Sequence, residues 1–220
     1  VETGLNELRM SNYRRILSLD SAMVVVQFDK DGVQYQRKYF ISYPDSVMVM
    51  KFTANQSGKQ NLILSYCPNS EAKSNLRADG KDGLVYTGVL DNNGMKFAFR
   101  IKAIHKGGTL EAENDRLIVK GADEVVFLLT ADTDYKMNFN PDFKDPKTYV
   151  GNDPEQTTRI MMDQAVQKGY DELYRNHEAD HTALFNRVRL QLNPDISSPN
   201  LPTYQRLANY KKGTPDYQLE

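Results

Sequence analysis

The sequence contains no tryptophan, only three histidines and a single cysteine. One cysteine, Cys67, cannot form a disulfide within the chain, so no disulfide framework holds this fold together. A lone thiol in a strand-like setting is more often a small buried hydrophobe than a nucleophile. We therefore expect Cys67 to be structural, and it leaves the redox compartment open.

Two further absences exclude whole classes of function. The 28 basic and 29 acidic residues give a net charge of -1, without the basic stripe that binding to a phosphate backbone requires. No apolar run is long enough to cross a bilayer, and no signal-peptide pattern begins at Val1. We expect neither a nucleic-acid partner nor a membrane partner.

What the sequence does contain is a long series of short strands. From Asn12 to about Thr133, apolar-patterned runs alternate with turn residues such as Asp31-Gly32, which is typical of an antiparallel sandwich. The run Val125–Leu129 is apolar on both faces, which indicates a central strand rather than an edge. We predict a mainly β fold, an antiparallel two-sheet β-sandwich over residues 1–150. Its predicted interior includes Val24, Val26, Phe97, Phe99, Phe127 and Leu129.

The pattern becomes helical after a polar stretch. Residues 132–153 are rich in Asn, Asp, Pro and Lys, which predicts a long surface loop. Asp153 and Pro154 then provide an N-cap and a first-turn proline. The predicted helix runs to about Asn186, and Gly169 weakens or kinks it.

The final part of the chain has weaker signals. Residues 187–192 alternate as in a returning strand, and a linker rich in proline and serine follows. Thr203 is placed to cap a short helix that ends in Lys211-Lys212-Gly213, where basic residues and glycine suit a helix C-terminus. We assign residues 151–220 to a helical linker.

One motif inside the long helix carries potential chemistry. His177-Glu178-Ala179-Asp180-His181 matches the H-E-x-x-H pattern of zinc peptidases. On a helix the two histidines lie one turn apart on one face, as the first two nitrogen ligands of zinc require. The remaining histidine, His105, lies in a predicted strand, and no further ligand motif follows His181. An acidic third ligand would complete a site, so a zinc metallopeptidase is one alternative function.

A second interpretation places both histidines in a packing face. Apolar residues follow helical spacing along this helix as one stripe, which predicts packing against the sandwich or another domain, without metal. The stripe consists of Met162, Val166, Gly169, Tyr170, Leu173, Tyr174, His177, His181, Leu184, Phe185 and Val188. Thirteen tyrosines suggest a further alternative, a free-standing carbohydrate-binding module, although most lie at strand positions typical of a core.

Three stretches together resemble the amino-terminal β-sandwich domain of the family 95 glycoside hydrolases, the α-L-fucosidase family. No single stretch is diagnostic, but their order and their spread over nearly the whole chain make the match fairly specific. They comprise Tyr13–Ala22 continuing through Asp31–Asp45, then Ala122–Thr133, and finally Tyr170–Leu192 followed by Leu201–Leu207.

The resemblance implies that the sandwich is of the supersandwich type and that the chain is a fragment. The linker helices would lead into an (α/α)6 catalytic barrel beyond Glu220. Similar enzymes invert the anomeric centre with a glutamic acid as general acid and an asparagine-assisted water. No residue of this chain matches those positions, so we assign no catalytic residue, cofactor-binding residue, metal ligand or cofactor.

The expected function is therefore the non-catalytic sandwich of an α-L-fucosidase-like hydrolase. Its expected partner is the barrel of the same polypeptide, through which the parent enzyme binds L-fucose-containing glycans. The expected location is periplasmic or secreted. Glycoside cleavage needs an acid and a base or nucleophile that converge across a pocket. The acidic residues of this chain lie largely in turns or on the helix, so we predict that the fragment alone is inactive. Those we considered are Asp29, Asp31, Asp91, Asp115, Asp171, Glu172 and Glu178.

Overall fold

The structure is a computed structural model that describes residues 1–2, 10–66, 72–113, 115–145, 147–189 and 201–216. Within these ranges it is mainly β, as predicted, with two antiparallel sheets and a helical region after them. Cys67 lies outside the described residues, so its predicted burial stays a prediction. The elements are β1 (Ser11–Ser18), β2 (Met23–Lys30), β3 (Val33–Ser42), β4 (Val47–Ala54), β5 (Gln60–Ser65), β6 (Ala72–Ala78), β7 (Gly83–Leu90), β8 (Lys96–Lys106), β9 (Thr109–Ala112), β10 (Arg116–Ala122), β11 (Glu124–Thr133), α1 (Pro154–Phe185) and α2 (Thr203–Lys211).

The strands form one large and one small sheet. The larger has eight strands in the order β1-β2-β3-β4-β11-β8-β7-β6, and the smaller has three in the order β5-β10-β9. Hairpins connect many neighbours; between β2 and β3, Asp31 and Gly32 both have positive φ, at 51° and 75°. Two successive positive φ angles match the right-handed twist of the strands, which explains why this sequence turns here. The predicted two-sheet sandwich is confirmed.

Strand β11 occupies the centre of the large sheet, between β4 and β8. Its residues alternate between two cores: Val125 and Phe127 face the small sheet, while Val126 and Leu128 face the helix. Because both faces are covered, neither can be polar, and this accounts for the unbroken apolar run. The predicted central strand is confirmed.

The core between the sheets is built from alternating inward side chains of both layers. Of the predicted interior residues, Val26 and Phe127 are buried, Phe99 and Leu129 are partly buried against this core, and Val24 and Phe97 are half-buried. The buried members of the cluster are Met50, Phe52, Leu62, Leu64, Leu84, Ile101, Ala103, Leu117, Val119, Ala122, Val125 and Phe127.

Helix α1 covers the other face of the large sheet. Asp153 caps it as predicted, since its Oδ1 accepts a 3.1 Å hydrogen bond from the backbone N–H of Glu155. At Gly169 the backbone adopts φ 72° and ψ 172°, and this kink divides α1 into two helical segments. The apolar residues of both segments, Met162, Ala165 and Leu173, are buried in a second core. Its strand residues are Met23, Phe40, Val47, Val49, Val126 and Leu128.

The predicted stripe is wrong at its end. Leu184 is 61% exposed, Phe185 and Val188 are also exposed, and Val188 lies beyond the helix. Helical spacing fixes which side chains share a face, but it does not fix how far the opposing surface extends. The apolar face of α1 is therefore covered only as far as about His177.

The chain divides into two compact units, Val1–Ala183 and Leu184–Glu220. In the second unit, α2 is present as predicted, but Pro202 rather than Thr203 is its N-cap residue, without a side-chain cap. Within this unit, Arg206 and Asp216 form an ion pair with an N–O distance of 2.5 Å. Residues 187–189 are not in a strand, and the rest of the strand predicted there lies outside the described residues.

Candidate functional site

The two histidines of the H-E-x-x-H motif lie where α1 meets the β1–β2 turn. His177 is buried, and its Nε2 donates to the carbonyl oxygens of Ser21 and Ala22 at 3.0 and 3.2 Å. Nε2 of His181 donates to the carbonyl oxygen of Leu19 at 2.7 Å. Both imidazoles therefore attach the helix to backbone carbonyls of one turn.

This arrangement does not favour the zinc interpretation. A metal needs the lone pair of a ring nitrogen, and each Nε2 here carries the proton that a carbonyl accepts, so only Nδ1 of each ring keeps a lone pair. His105 is not brought close, since it pairs with Val125 inside the sheet and its Nδ1 lies 2.8 Å from the carbonyl oxygen of Gly107. Within the described part of the chain, no three His, Cys, Asp or Glu side chains are grouped to hold a metal ion.

Aromatic rings fix the orientation of His177. Its ring stacks on Phe40, with centroids 4.9 Å apart and planes 27° apart. Tyr170 and Tyr174 meet the same Phe40 edge-on, with centroid distances of 5.9 and 5.8 Å. These tyrosines pack against the core, so they do not form a sugar-binding platform. Such aromatic pairs add about 0.5–1.5 kcal/mol each beyond the area they bury.

A buried carboxylate, Asp45, forms a second connection between the helix and the sheet. It accepts hydrogen bonds from Lys168 Nζ at 2.6 Å, Asn176 Nδ2 at 3.1 Å and Ser42 Oγ at 2.5 Å. Burial alone would raise the pKa of Asp45, but these three donors outweigh it and hold the pKa below its ordinary value. Asp45 is therefore a charged structural anchor rather than a proton donor.

A third connection lies under the start of the second helical segment. Glu124 pairs with Lys51 at 2.7 Å and with Lys106 at 3.0 Å. Burial opposes its ionisation, yet the two ammonium groups hold the pKa of Glu124 below its usual range. The Lys51 ammonium also lies 4.2 Å from the ring centroid of Tyr170, whose pKa is raised to about 12, chiefly by burial.

The geometry of these groups suits attachment rather than glycoside cleavage. A carboxylic acid that acts as a general acid near neutral pH needs a raised pKa. Asp45 and Glu124, the two carboxylates at the helix–sheet junction, both have a lowered pKa. Asp29, predicted in a turn, lies in strand β2, where its carboxylate accepts a hydrogen bond from Asn12 at 2.6 Å. Glu178 accepts one from Tyr174 at 3.0 Å. Neither belongs to a converging carboxylate pair.

A polar groove lies at the ends of β1 to β4, with a volume of about 480 Å³. Sequence reasoning missed it, because its amides and charges are scattered over four strands. None of the hydrogen bonds and ion pairs of the described residues uses the side chains of Arg14, Gln27 or Gln36, which line the groove. It contains one acidic residue, Asp29, so it offers donors for a polar ligand but no acid–base pair.

Residues 3–138 match the description "Glycosyl hydrolase family 65, N-terminal domain", which is more than half of the chain. The chain belongs to this family. Residues 169–220 match a second one, "Glycosyl hydrolase family 95 catalytic domain". The second match begins at the kink residue, Gly169, so the helical segment that carries both histidines falls within it.

Two curated relatives are fucosidases by name. "Probable alpha-fucosidase A" of Aspergillus niger is 27% identical over 213 residues, covering 92% of this chain and 26% of its own length. "Alpha-L-fucosidase 2" of Arabidopsis thaliana is 26% identical over 229 residues, covering 91% of this chain and 26% of its own length. The chain thus spans about a quarter of the length of these curated relatives.

Among solved structures, a candidate kojibiose phosphorylase from the human microbiome shares the fold. The TM-score is 0.53 at 10% identity, covering 80% of this chain and 25% of the other. Together with the family matches, this likeness confirms the resemblance found in the sequence. The chain is an N-terminal β-sandwich of the glycoside hydrolase type, with fucosidases among its relatives.

Proposed function

We propose that this chain is the non-catalytic amino-terminal part of a longer α-L-fucosidase-like glycoside hydrolase, in which it supports a helical catalytic barrel. One observation carries the proposal: the family 95 catalytic-domain match begins at Gly169, and the helical segment that starts there is bound to the sandwich by hydrogen bonds. His177 and Asn176 attach it to the turns beside β2 and β4. The sandwich thus fixes the position and direction of the first catalytic-domain helix.

The substrate class follows from the relatives rather than from a site in this chain. Both curated relatives carry the name of a fucosidase, and each is about four times as long as the matched region. We infer that the parent enzyme acts on L-fucose-containing glycans. The sandwich itself supplies rigidity, because one apolar core, the hydrogen bonds of His177 and Asp45, and the contact of Lys51 with Tyr170 hold helix α1 to the large sheet.

The isolated chain is expected to hydrolyse no fucoside. Cleavage requires a proton donor on the leaving oxygen and an activated water or nucleophile opposite it. Asp45 and Glu124, the two carboxylates at the helix–sheet junction, are ion-paired and keep a lowered pKa, so they do not supply the donor. The groove near Asp29 offers a single carboxylate and so lacks the second group.

The test is to assay this chain and the longer gene product side by side on an aryl α-L-fucoside. Turnover by the longer protein and none by the chain is the expected result. If the chain alone turns over substrate, and substitution of its own Asp45 or Glu124 abolishes that turnover, the non-catalytic assignment is wrong. If neither protein acts on fucosides but both act on another glycoside, only the substrate class is wrong.

We also propose a periplasmic or secreted location for the parent enzyme. Among the described residues no helix is long and apolar enough to span a membrane. Cell fractionation of the source organism, with antibodies against this chain, tests the location. Recovery only in the cytoplasmic fraction would contradict it.

A further inference from the structure

The polar groove at the ends of β1 to β4 lies on the face of the large sheet that α1 covers, beyond the end of the helix contact. Lys51 marks the boundary, because its ammonium contacts the ring of Tyr170 in α1. Side chains alternate along a strand, so Thr53, two residues further along β4, faces the same way and lines the groove. In the described part of the chain, no residue of α1 lines the groove. The helix therefore leaves this part of the face uncovered.

Polar side chains cross the uncovered area in a row. Thr53 of β4 pairs with Gln36 of β3, and Gln36 pairs with Gln27 of β2. Gln27 pairs in turn with Arg14 of the edge strand β1. Directly opposed residues point to the same face of a sheet, so these four side chains stand side by side along the groove. Its volume of about 480 Å³ falls within the range of small-molecule sites, about 300–1,000 Å³.

The edge strand is bulged beside the groove. Ser11 pairs with Asp29 and Arg14 pairs with Gln27, so β1 has two residues where β2 has one. Asn12, one of these two, has a φ of 52°, and its Nδ2 donates to the Asp29 carboxylate at 2.6 Å. Bulges re-aim side chains and are common next to functional sites. Because Asp29 is bound by Asn12, the Arg14 guanidinium keeps its donors available, and no ion pair of the described residues involves it.

The row also contains amides that the fold does not use. Gln27 and Gln36 are half-buried, yet none of the hydrogen bonds of the described residues involves their side chains. Gln34 and Asn55 add further amides to the lining. Each carboxamide both donates and accepts. Water satisfies such groups in the free protein, and a ligand that reproduces the same hydrogen bonds replaces the water without loss.

The charges of the groove narrow the class of ligand. One cation, Arg14, and one anion, Asp29, line it, whereas recognition of phosphate groups or nucleic acid generally uses several cations. Within the described ranges, no three His, Cys, Asp or Glu side chains are grouped to hold a metal ion. An apolar ligand would leave the amides unpaired. A neutral molecule with many hydroxyl groups fits, because a hydroxyl donates and accepts as a carboxamide does.

We propose that the groove is a non-catalytic binding site for a neutral oligosaccharide. Sugars are the neutral polyhydroxylated molecules that a glycoside hydrolase meets, so the choice of a sugar rests on the proposed function. The carboxamides of Gln27 and Gln36 bind neighbouring hydroxyl groups, and Arg14 donates to a further one. Cleavage needs an acid and an activated water or nucleophile, and the groove has a single carboxylate. It therefore holds a part of the glycan that is remote from the bond to be cleaved.

NMR titration of the isotope-labelled chain tests the site. The probes are lactose, 2′-fucosyllactose, maltotriose and inorganic phosphate. We expect at least one sugar to shift the side-chain amide signals of Gln27 and Gln36, and phosphate to leave them in place. Gln36→Ala should raise the Kd of that sugar about three- to tenfold, because one or two neutral hydrogen bonds are lost. Gln167→Ala, the same change at an exposed position of α1, is the matched control and should leave the Kd unchanged.

Amide signals of Gln27 and Gln36 that respond to none of the three sugars would overturn the proposal. A response to phosphate alone would overturn it in favour of an anion site at Arg14. A sugar whose Kd is the same in the original protein, Gln36→Ala and Gln27→Ala binds elsewhere, which would also overturn the proposal. If Gln36→Ala fails to fold, Gln36→Glu, which keeps the length of the side chain but lacks the amide donors, takes its place.

Assays of the longer gene product separate this site from the proposed activity. Sugar binding in the groove without fucoside hydrolysis by the longer protein would support the site and contradict only the activity. Fucoside hydrolysis by the longer protein without sugar binding in the groove would contradict only the site.

Discussion

Nε2 of His177 lies 3.0 Å from the carbonyl oxygen of Ser21, a residue 156 positions earlier in the chain. This hydrogen bond and its neighbour to Ala22 satisfy two backbone carbonyls at the helix–sheet junction. We expect His177→Leu to lower the free energy of unfolding by about 1–3 kcal/mol, because buried acceptors would lose their donor. Urea denaturation of this chain measures the loss of free energy. His181→Leu, at a half-buried site, should lower the free energy of unfolding by less than His177→Leu does.

Zinc titration of the same proteins is the complementary measurement. A metal that binds only the folded state raises its stability through mass action. Because both Nε2 atoms donate to carbonyls, we expect zinc to leave the thermal midpoint unchanged. A stoichiometric zinc whose stabilisation disappears in both histidine variants would contradict the structural role of the motif.

The contrast between Leu173 and Leu184 tests how far the apolar face of α1 is covered. Leu173 is 0% exposed within the second core, whereas Leu184 is 61% exposed. Leu173→Ala should lower the free energy of unfolding by about 2–5 kcal/mol, since it leaves a cavity. Leu184→Ala should change it by no more than about 0.5 kcal/mol. Equal losses in chemical denaturation would mean that the coverage of the helix is assigned incorrectly.

The sequence predicted the strands and helices better than it predicted the surfaces against which they pack. Val125–Leu129 specified a central strand because only a strand covered on both faces can be apolar throughout. Leu173 and Leu184, in contrast, follow the same helical spacing, and the sequence contains nothing that marks where the opposing sheet ends. Periodicity defines a face, while burial depends on what lies across from it.

The same limit applies to the candidate site. H-E-x-x-H spacing puts His177 and His181 on one face for either a metal or a pair of carbonyls, and the deciding partners lie in a turn far away in sequence. Asp45 and Lys168 are 123 positions apart, so no local pattern in the sequence indicates their ion pair. The kink at Gly169 was predictable, because glycine inside a helical pattern already marks a weak point.

Gly169 tests whether the kink is required by the fold. Its φ of 72° with ψ of 172° lies in a region that is essentially restricted to glycine. An added Cβ would meet nothing within 4 Å, so the cost of Gly169→Ala comes from the backbone alone. We expect a loss of about 1–3 kcal/mol. Gln167→Ala, on an exposed position of the same helix, is the control, and an unchanged or higher thermal midpoint for Gly169→Ala would contradict the kinked geometry.

The Asp45 carboxylate predicts a specific dependence of stability on pH. Burial opposes ionisation, but the hydrogen bonds from Lys168, Ser42 and Asn176 prevail, so the pKa in the folded state lies below the unfolded value of 3.8. A group with a depressed pKa stabilises the fold above its unfolded pKa, and this stabilisation is lost as the pH falls through the folded pKa. Asp45→Asn removes the charge at similar size. The variant should therefore be less stable than the original protein at neutral pH, and the gap should narrow below about pH 4.

Denaturation of both proteins in urea at pH 7, 5, 4 and 3 measures this gap. Asp91→Asn, in an exposed turn, is the matched control and should change stability at pH 7 by no more than about 0.5 kcal/mol. A gap between Asp45→Asn and the original protein that stays constant across the whole range would show that the substitution acts through shape or hydrogen bonding rather than through charge. A gap that widens toward acid pH would require the carboxylate to be protonated in the folded state, which contradicts its ion pair with Lys168.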